Sequence, residues 1–206
     1  MQAITDLIMY FQKGGLVMWP LLACSITVIA IAIERFIYYK SVDSGAAFAS
    51  HYCAAVRSGD FAVATELARK GSGQCAQMLA DVETVAGGKA EKSAFLESRA
   101  GIFMATLRDK LDYLGIIVTM SPLLGLLGTI VGMIGAFSIF NVEAGAPMAI
   151  TGGIGEALIA TATGLCVAIL SLCAHSYFAH RMDNMITDME QCFSALLEAE
   201  TRRARS

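Results

Sequence analysis

Charge is scarce in this chain, and three long stretches have none. Asp, Glu, Lys and Arg make up 16% of the 206 residues, against roughly a quarter in soluble domains. No charged residue stands between Lys13 and Glu34, between Asp112 and Glu143, or from Ala157 to Phe178. A basic excess is also lacking. The formal net charge of -3 leaves no electrostatic footprint for nucleic acid. Paired cysteine spacings are missing too: Cys24, Cys53, Cys75, Cys166, Cys173 and Cys192 stand apart, with no histidine at ligand spacing. Reduced, buried thiols are expected, with no metal and no disulfide frame. Neither a glycine loop that cradles phosphate nor a Ser, His and Asp pattern around a nucleophile is present, so no enzyme core and no cofactor is expected.

What remains is apolar: 56% of residues are hydrophobic and the mean hydropathy is +0.60. Each charge-free run reaches about 20 residues or more, enough to cross a hydrocarbon core of about 30 Å as a helix. A chain of this length has too little polar surface to bury three such helices in water. The expected fold is an all-α integral membrane protein with three transmembrane helices. An outer-surface amphipathic helix is expected at 1–13, where Ile4, Leu7, Ile8 and Phe11 recur at helical spacing ahead of Gly14 and Gly15. The first span and its exit cover 14–39, a cytoplasmic helical domain 40–112, the second span 113–142, a short periplasmic turn 143–149, the third span 150–179, and a cytoplasmic helical tail 180–206.

Cations set the orientation. Of 15 Lys and Arg, ten lie from Arg35 to Lys110 and four after the third span, which places the N-terminus outside and the C-terminus inside. Leu21-Leu22-Ala23-Cys24 has the look of a lipoprotein cleavage box. The apolar run nevertheless continues to Ile33 and is closed by Glu34-Arg35, as a retained span would be.

The segment between the first two spans reads as helices punctuated by turns. Ser58-Gly59-Asp60 forms a turn and N-cap ahead of a helix over 61–70, Gly71-Ser72-Gly73 breaks it, and Gly87-Gly88 interrupts again. A long helix from about Glu91 is expected to run on into the second span. In the tail, Met182, Met185, Met189, Phe193 and Leu196 keep a three- and four-residue rhythm. That stripe suits either packing on the inserted domain or association with copies of itself. His175, at the inner end of the third span, reads as a packing or interfacial residue.

Chemistry concentrates in the hairpin of the second and third spans. Small residues recur every fourth place, at Gly128, Gly132 and Ala136 and again at Gly153, Ala157 and Thr161, which lets helices approach closely in lipid. Glu156 sits among them. A charged side chain near the bilayer centre costs roughly 2.5–3.5 kcal/mol on insertion scales, so it is expected to face a cavity, a partner or an ion path. Thr129 lies about as far from the hairpin turn as Glu156, at similar depth, and its hydroxyl has the chemistry to donate to a carboxylate or hold a water. Thr163 falls on the helical face of Glu156, with Ala160 between them; Thr161 lies about 140° round the helix. For a lone threonine the ordinary alternative is a bond back to its own helix carbonyl.

Two stretches carry a resemblance. Residues 121–133, Ser-Pro-Leu-Leu-Gly-Leu-Leu-Gly-Thr-Ile-Val-Gly-Met, and residues 155–165, Gly-Glu-Ala-Leu-Ile-Ala-Thr-Ala-Thr-Gly-Leu, closely resemble the ExbB and TolQ branch of the MotA/TolQ/ExbB proton-channel family. The three-span layout, Glu34-Arg35 and the Ser58-Gly59-Asp60 turn agree with it. One departure is Val167-Ala168-Ile169-Leu170-Ser171, where relatives often carry proline. The resemblance implies a homopentamer in the bacterial inner membrane around a dimer of a single-span ExbD- or TolR-like partner, coupled to a TonB- or TolA-like protein and driven by protons, with sodium as the alternative ion. It implies an ion pathway through Glu156, Thr129 and Thr161, to which the helical reading adds Thr163. Energy transduction for TonB-dependent import is expected. A TolQ-like role in outer-membrane integrity and division, or a non-conducting membrane scaffold, stands as the alternative.

Overall fold

Apolar runs become helices, one of them with Pro122 inside it, because a backbone in lipid has to satisfy its own N–H and C=O groups. In a computed structural model of the chain, Phe11 and residues 14–142 and 147–203 are described, with the side chains of 138–142, 147–150 and 203 left aside. Ile4, Leu7 and Ile8 of the expected surface helix, and residues 143–146 of the expected turn, lie outside the described residues. Among the described residues seven helices follow one another: α1 (Met18–Val42), α2 (Ala46–Ser58), α3 (Phe61–Lys70), α4 (Gln74–Val82), α5 (Lys89–Arg108), α6 (Leu111–Val142) and α7 (Pro147–Arg203). No strand occurs among the described residues. Among the described residues three stretches, carried by α1, α6 and α7, are long and apolar enough to cross a membrane. The 57 residues of α7 form one uninterrupted helix that takes in both the third apolar run and the tail. Contacts divide the chain into two units, Met1–Ile33 with Leu111–Ser176, and Glu34–Lys110 with Tyr177–Ser206.

In the first unit the helices are apolar on every side. On α1, Leu21, Cys24 and Val28 are buried at helical spacing, while Ile26, Ile29 and Ile33 are more than half exposed on another face. Only 28% of each apolar window is buried. A helix in water keeps such a face polar, whereas a helix in lipid need not. The buried stripe of α6 begins with Leu111, Leu114 and Ile117 and continues through Ser121, Gly125, Gly128, Gly132 and Ala136. Its counterpart on α7 is Ala157, Ala160, Gly164, Val167, Ala168 and Ser171. The Ser171 hydroxyl donates to the Leu114 carbonyl at 2.9 Å, which fixes the lower register of the antiparallel pair.

The second unit is an amphipathic helical domain. Asp60 caps α3 by accepting from the Val63 N–H at 3.2 Å, and Gly59 supplies the left-handed φ of +82° that ends α2, so the expected Ser58-Gly59-Asp60 turn is present. Leu79, Val82, Leu96 and Leu107 are almost wholly buried. The methionine stripe of α7 is buried as well, with Met182, Met185, Met189, Phe193 and Leu196 each under 10% exposed. The Cys192 thiol donates to the Ala49 carbonyl at 3.9 Å, and Lys92 pairs with Glu200 at 2.8 Å. That stripe is therefore used inside the subunit, and of the two readings of the tail it is the packing one that this face serves.

Where one helix had been expected from about Glu91 into the second span, a turn at Asp109 and Lys110 separates α5 from α6. The carbonyls at the end of a helix have no intrahelical donor. Arg35, 4% exposed, donates through Nη1 to the Thr106 carbonyl at 3.0 Å and the Leu107 carbonyl at 3.4 Å, and the Tyr39 hydroxyl donates to the latter at 3.0 Å. Glu34 neutralises Arg35 at 2.9 Å and also meets Lys110 at 3.4 Å. The break is satisfied by side chains of α1.

Candidate functional site

The hairpin of α6 and α7 is closed by its missing side chains. A Cβ at Gly164 would stand 2.5 Å from the Ser121 carbonyl oxygen and 3.1 Å from the Gly125 Cα. One at Gly125 would meet the Thr161 Cα at 3.1 Å, and one at Gly128 the Ala160 Cβ at 2.5 Å. Farther along the pair, a Cβ at Gly132 would meet the Gly153 carbonyl oxygen at 3.1 Å and the Ala157 Cβ at 3.2 Å, and one at Gly153 the Ala136 Cβ at 2.5 Å. All six small residues singled out from the sequence, Gly128, Gly132, Ala136, Gly153, Ala157 and Thr161, thus lie in one seam. Backbones approach this closely only where small residues remove the side-chain layer, and without an apolar driving force in lipid that packing holds the pair.

Thr161 adds a polar tie: its hydroxyl donates across the seam to the Gly125 carbonyl at 3.0 Å. Thr129 and Thr163 do not reach across. Thr129 donates to the Leu126 carbonyl at 2.6 Å and Thr163 to the Ile159 carbonyl at 2.8 Å, each within its own helix. Ser121 is wholly buried one residue before Pro122, and its Oγ has no hydrogen-bond partner among the described residues.

Glu156 stands on the flank of this seam, half-buried, one residue before Ala157. Thr129 follows Gly128 by one residue. In an antiparallel pair, one residue before the seam on one helix and one after it on the other point to opposite sides. Within a single chain, then, Glu156 and Thr129 are at similar depth but not in contact. No described residue donates a hydrogen bond to the Glu156 carboxylate or pairs with it. Its nearest wall is one that the sequence reading missed. A Cβ at Gly15, just ahead of α1, would overlap Glu156 Oε1 and lie 3.0 Å from its Cδ. The sequence reading gives Gly14 and Gly15 no role beyond following the expected surface helix; the available signal is a glycine pair directly before a span, which marks special backbone or close approach without saying to what.

His175 is likewise placed by a glycine: its Nε2 lies 3.8 Å from where a Cβ at Gly115 would be, so it packs on the start of α6. Among the described residues no group of three or more His, Cys, Asp or Glu could hold a metal ion, and the six thiols are free.

A half-buried acid on the flank of a glycine-packed hairpin, on helices long and apolar enough to cross a membrane, is the pattern of a membrane protein. The sequence profile of the MotA/TolQ/ExbB proton channel family matches residues 71–191. The ExbB-like 1 biopolymer transport protein of Synechocystis is 34% identical over 170 residues, which are 79% of this chain and 66%, just under two thirds, of that relative. Biopolymer transport protein exbB1 of Vibrio cholerae is 27% identical over 186 residues, 87% of this chain and 82% of its own length. The Tol-Pal system protein TolQ of Pseudomonas aeruginosa matches a shorter stretch, 36% identical over 81 residues, 39% of this chain and 35% of TolQ. The chain belongs to the MotA/TolQ/ExbB proton channel family, a family of channels in biopolymer transport rather than of enzymes.

Proposed function

We propose that this chain is the channel-forming stator subunit of a motor in the bacterial inner membrane, oriented with its N-terminus outside and its C-terminus inside. Five copies surround a dimer of a single-span ExbD- or TolR-like protein. Proton flow between subunit and partner drives a TonB-like protein in TonB-dependent import. The observation that carries this reading is Glu156, a half-buried carboxylate in the third apolar run with no hydrogen-bond donor or cation among the described residues. Such a group is costly unless a partner, an ion or a wet interior meets it.

The tight seam supports the same reading. Glycine contacts make the hairpin a rigid post, so Glu156 and Thr129 are presented on its two flanks rather than swinging freely. Of the polar residues, Glu156 exchanges or solvates the proton, Thr129 and Thr163 orient water at their exposed edges, and Thr161 holds the register. A membrane potential supplies about 2.3 kcal/mol per charge per 100 mV, so a few protons per step can drive a conformational cycle. The 81-residue match to TolQ favours a second reading, coupling to a TolA-like protein for envelope integrity.

The test is Glu156→Gln, which keeps the shape and removes the titrating group. Co-expressed with its single-span partner, the variant is expected to assemble at the wild-type yield while proton flux into proteoliposomes falls at least about tenfold, in line with loss of a positioned acid–base group. Flux at the wild-type rate would refute the role of Glu156, and an oligomer that never conducts, with wild type included, would identify a scaffold. Restored iron-complex uptake, or restored envelope integrity, in cells lacking the endogenous subunit separates the two couplings.

A further inference from the structure

We propose that the Gly14-Gly15 turn ahead of the first span is part of the ion site, with Gly15 as the residue that positions the Glu156 carboxylate. This rests on the reading of Glu156 as the titrating group and adds to it a wall contributed by a third segment of the chain, remote in sequence from the hairpin.

Three independent features of the turn support the assignment. Gly15 has φ +70°, the left-handed region that glycine enters at no steric cost and other residues seldom do. The space its side chain would fill is taken by the Glu156 carboxylate, Oε1 first and Cδ at 3.0 Å. The turn itself is pinned: the Gly14 N–H donates to the Phe11 carbonyl at 3.3 Å and the Met18 N–H to the Gly15 carbonyl at 3.2 Å, while Val17, Met18 and Leu21 form a buried cluster against Leu124. A Cβ at Gly14 would also meet Ile159 Cγ2 at 3.4 Å, one turn along α7 from Glu156. The carboxylate is therefore seated in a notch whose floor is backbone. Backbone at a non-glycine position could not come so near, and a longer approach would leave the carboxylate free to rotate about its χ angles.

The backbone of Gly15 thus walls one side of the carboxylate, and a proton or a hydrated monovalent cation arriving at Glu156 meets an acid whose rotation is limited on that side. Orientation is what a relay between two carboxyl groups requires, because proton transfer falls steeply once donor and acceptor leave hydrogen-bond reach.

The experiment uses the full chain assembled with its single-span partner. Gly15→Ala places a methyl where the carboxylate now lies, and the flexible end of Glu156 is the part able to yield. Proton flux is expected to drop about tenfold or more, as a displacement of roughly 1 Å at a reacting group does elsewhere. Glu156→Asp in the Gly15→Ala background draws the carboxylate back by about one C–C bond, roughly 1.5 Å, and is expected to recover flux to at least about threefold above Gly15→Ala alone. Backbone strain at a positive φ would not respond to a change at residue 156. Flux within twofold of wild type for Gly15→Ala, or a double variant no better than the single, overturns the proposal. If Gly15→Ala does not assemble, assembly of the double variant supports the contact and its failure overturns it. Geometry is read separately by oxidising Gly14→Cys with Ile159→Cys and seeking the cross-linked peptide by mass spectrometry. The linked peptide is expected, and its absence places the turn away from α7. Wild-type flux in Glu156→Gln would defeat the functional reading while leaving a positive cross-link intact, so the two failures are distinct.

Discussion

Gly164→Ala isolates the physical basis of the hairpin in a single methyl group. The new Cβ would stand 2.5 Å from the Ser121 carbonyl oxygen, 3.1 Å from the Gly125 Cα and 3.2 Å from the Gly125 nitrogen, all of them backbone and none able to rotate away. Restoring ordinary contact requires the helices to separate by somewhat under 1 Å, and a radial gap of about that size forfeits a quarter to a half of each dispersion contact it opens. Overpacking of this kind typically costs about 1–3 kcal/mol. The Thr161 bond to Gly125, at 3.0 Å and next to the substituted position, is stretched in the same movement, at about 0.6 kcal/mol for an average interhelical bond in a membrane. Against this, alanine gains roughly 0.5–1 kcal/mol of helix propensity. The net expectation is a loss of about 0.6–3 kcal/mol, a factor of about 3 to 200 in the folded ratio. Purified protein in detergent micelles, titrated with sodium dodecyl sulfate and followed by circular dichroism, should unfold at a lower dodecyl sulfate fraction than wild type. Gly101→Ala, at a helical glycine with nothing within 4 Å of the added methyl, is the control and should be neutral or slightly stabilising. A midpoint for Gly164→Ala equal to or above wild type would refute the reasoning that small residues are there for close approach.

Two further outcomes follow from individual contacts. Thr161→Val removes the cross-seam hydrogen bond at constant shape and should lower stability by about 0.5–1 kcal/mol, read as a lower dodecyl sulfate midpoint, whereas Thr129→Val, losing only a bond to its own helix, should leave the midpoint unchanged; equal midpoints for the two variants would contradict the contact. Arg35→Lys keeps the charge but not the fork that spans two carbonyls and Glu34, and Arg35→Ala leaves the Thr106 carbonyl without its donor while Leu107 keeps Tyr39 and Glu34 keeps Lys110; losses of about 0.5–1 and 1–3 kcal/mol are expected, read as increased protease cleavage near Asp109, and an uncleaved alanine variant would show that Arg35 does not hold the break.

What the sequence determined by itself was whatever depends on local transfer free energy. A charge-free run of about 20 residues declares a span wherever it occurs, because each residue's cost of leaving water is nearly independent of its neighbours. For the same reason Glu156 announced itself as an exception, the small-residue stripes marked a seam, and Asp60 marked a helix start. Only the tertiary structure decided who meets whom. The register that sets Gly164 on Ser121 and Gly153 on Ala136, the turn of Thr129 and Thr163 back onto their own carbonyls, and the use of the methionine stripe inside the second unit all depend on pairings between distant segments. Arg35 reaching the carbonyls of Thr106 and Leu107, and Glu156 lying in the notch at Gly15, join residues 71 or more positions apart. No periodicity encodes such contacts, since they arise from the complementary shapes of two surfaces at distances of 3 to 4 Å, where a single Cβ decides whether the backbones meet.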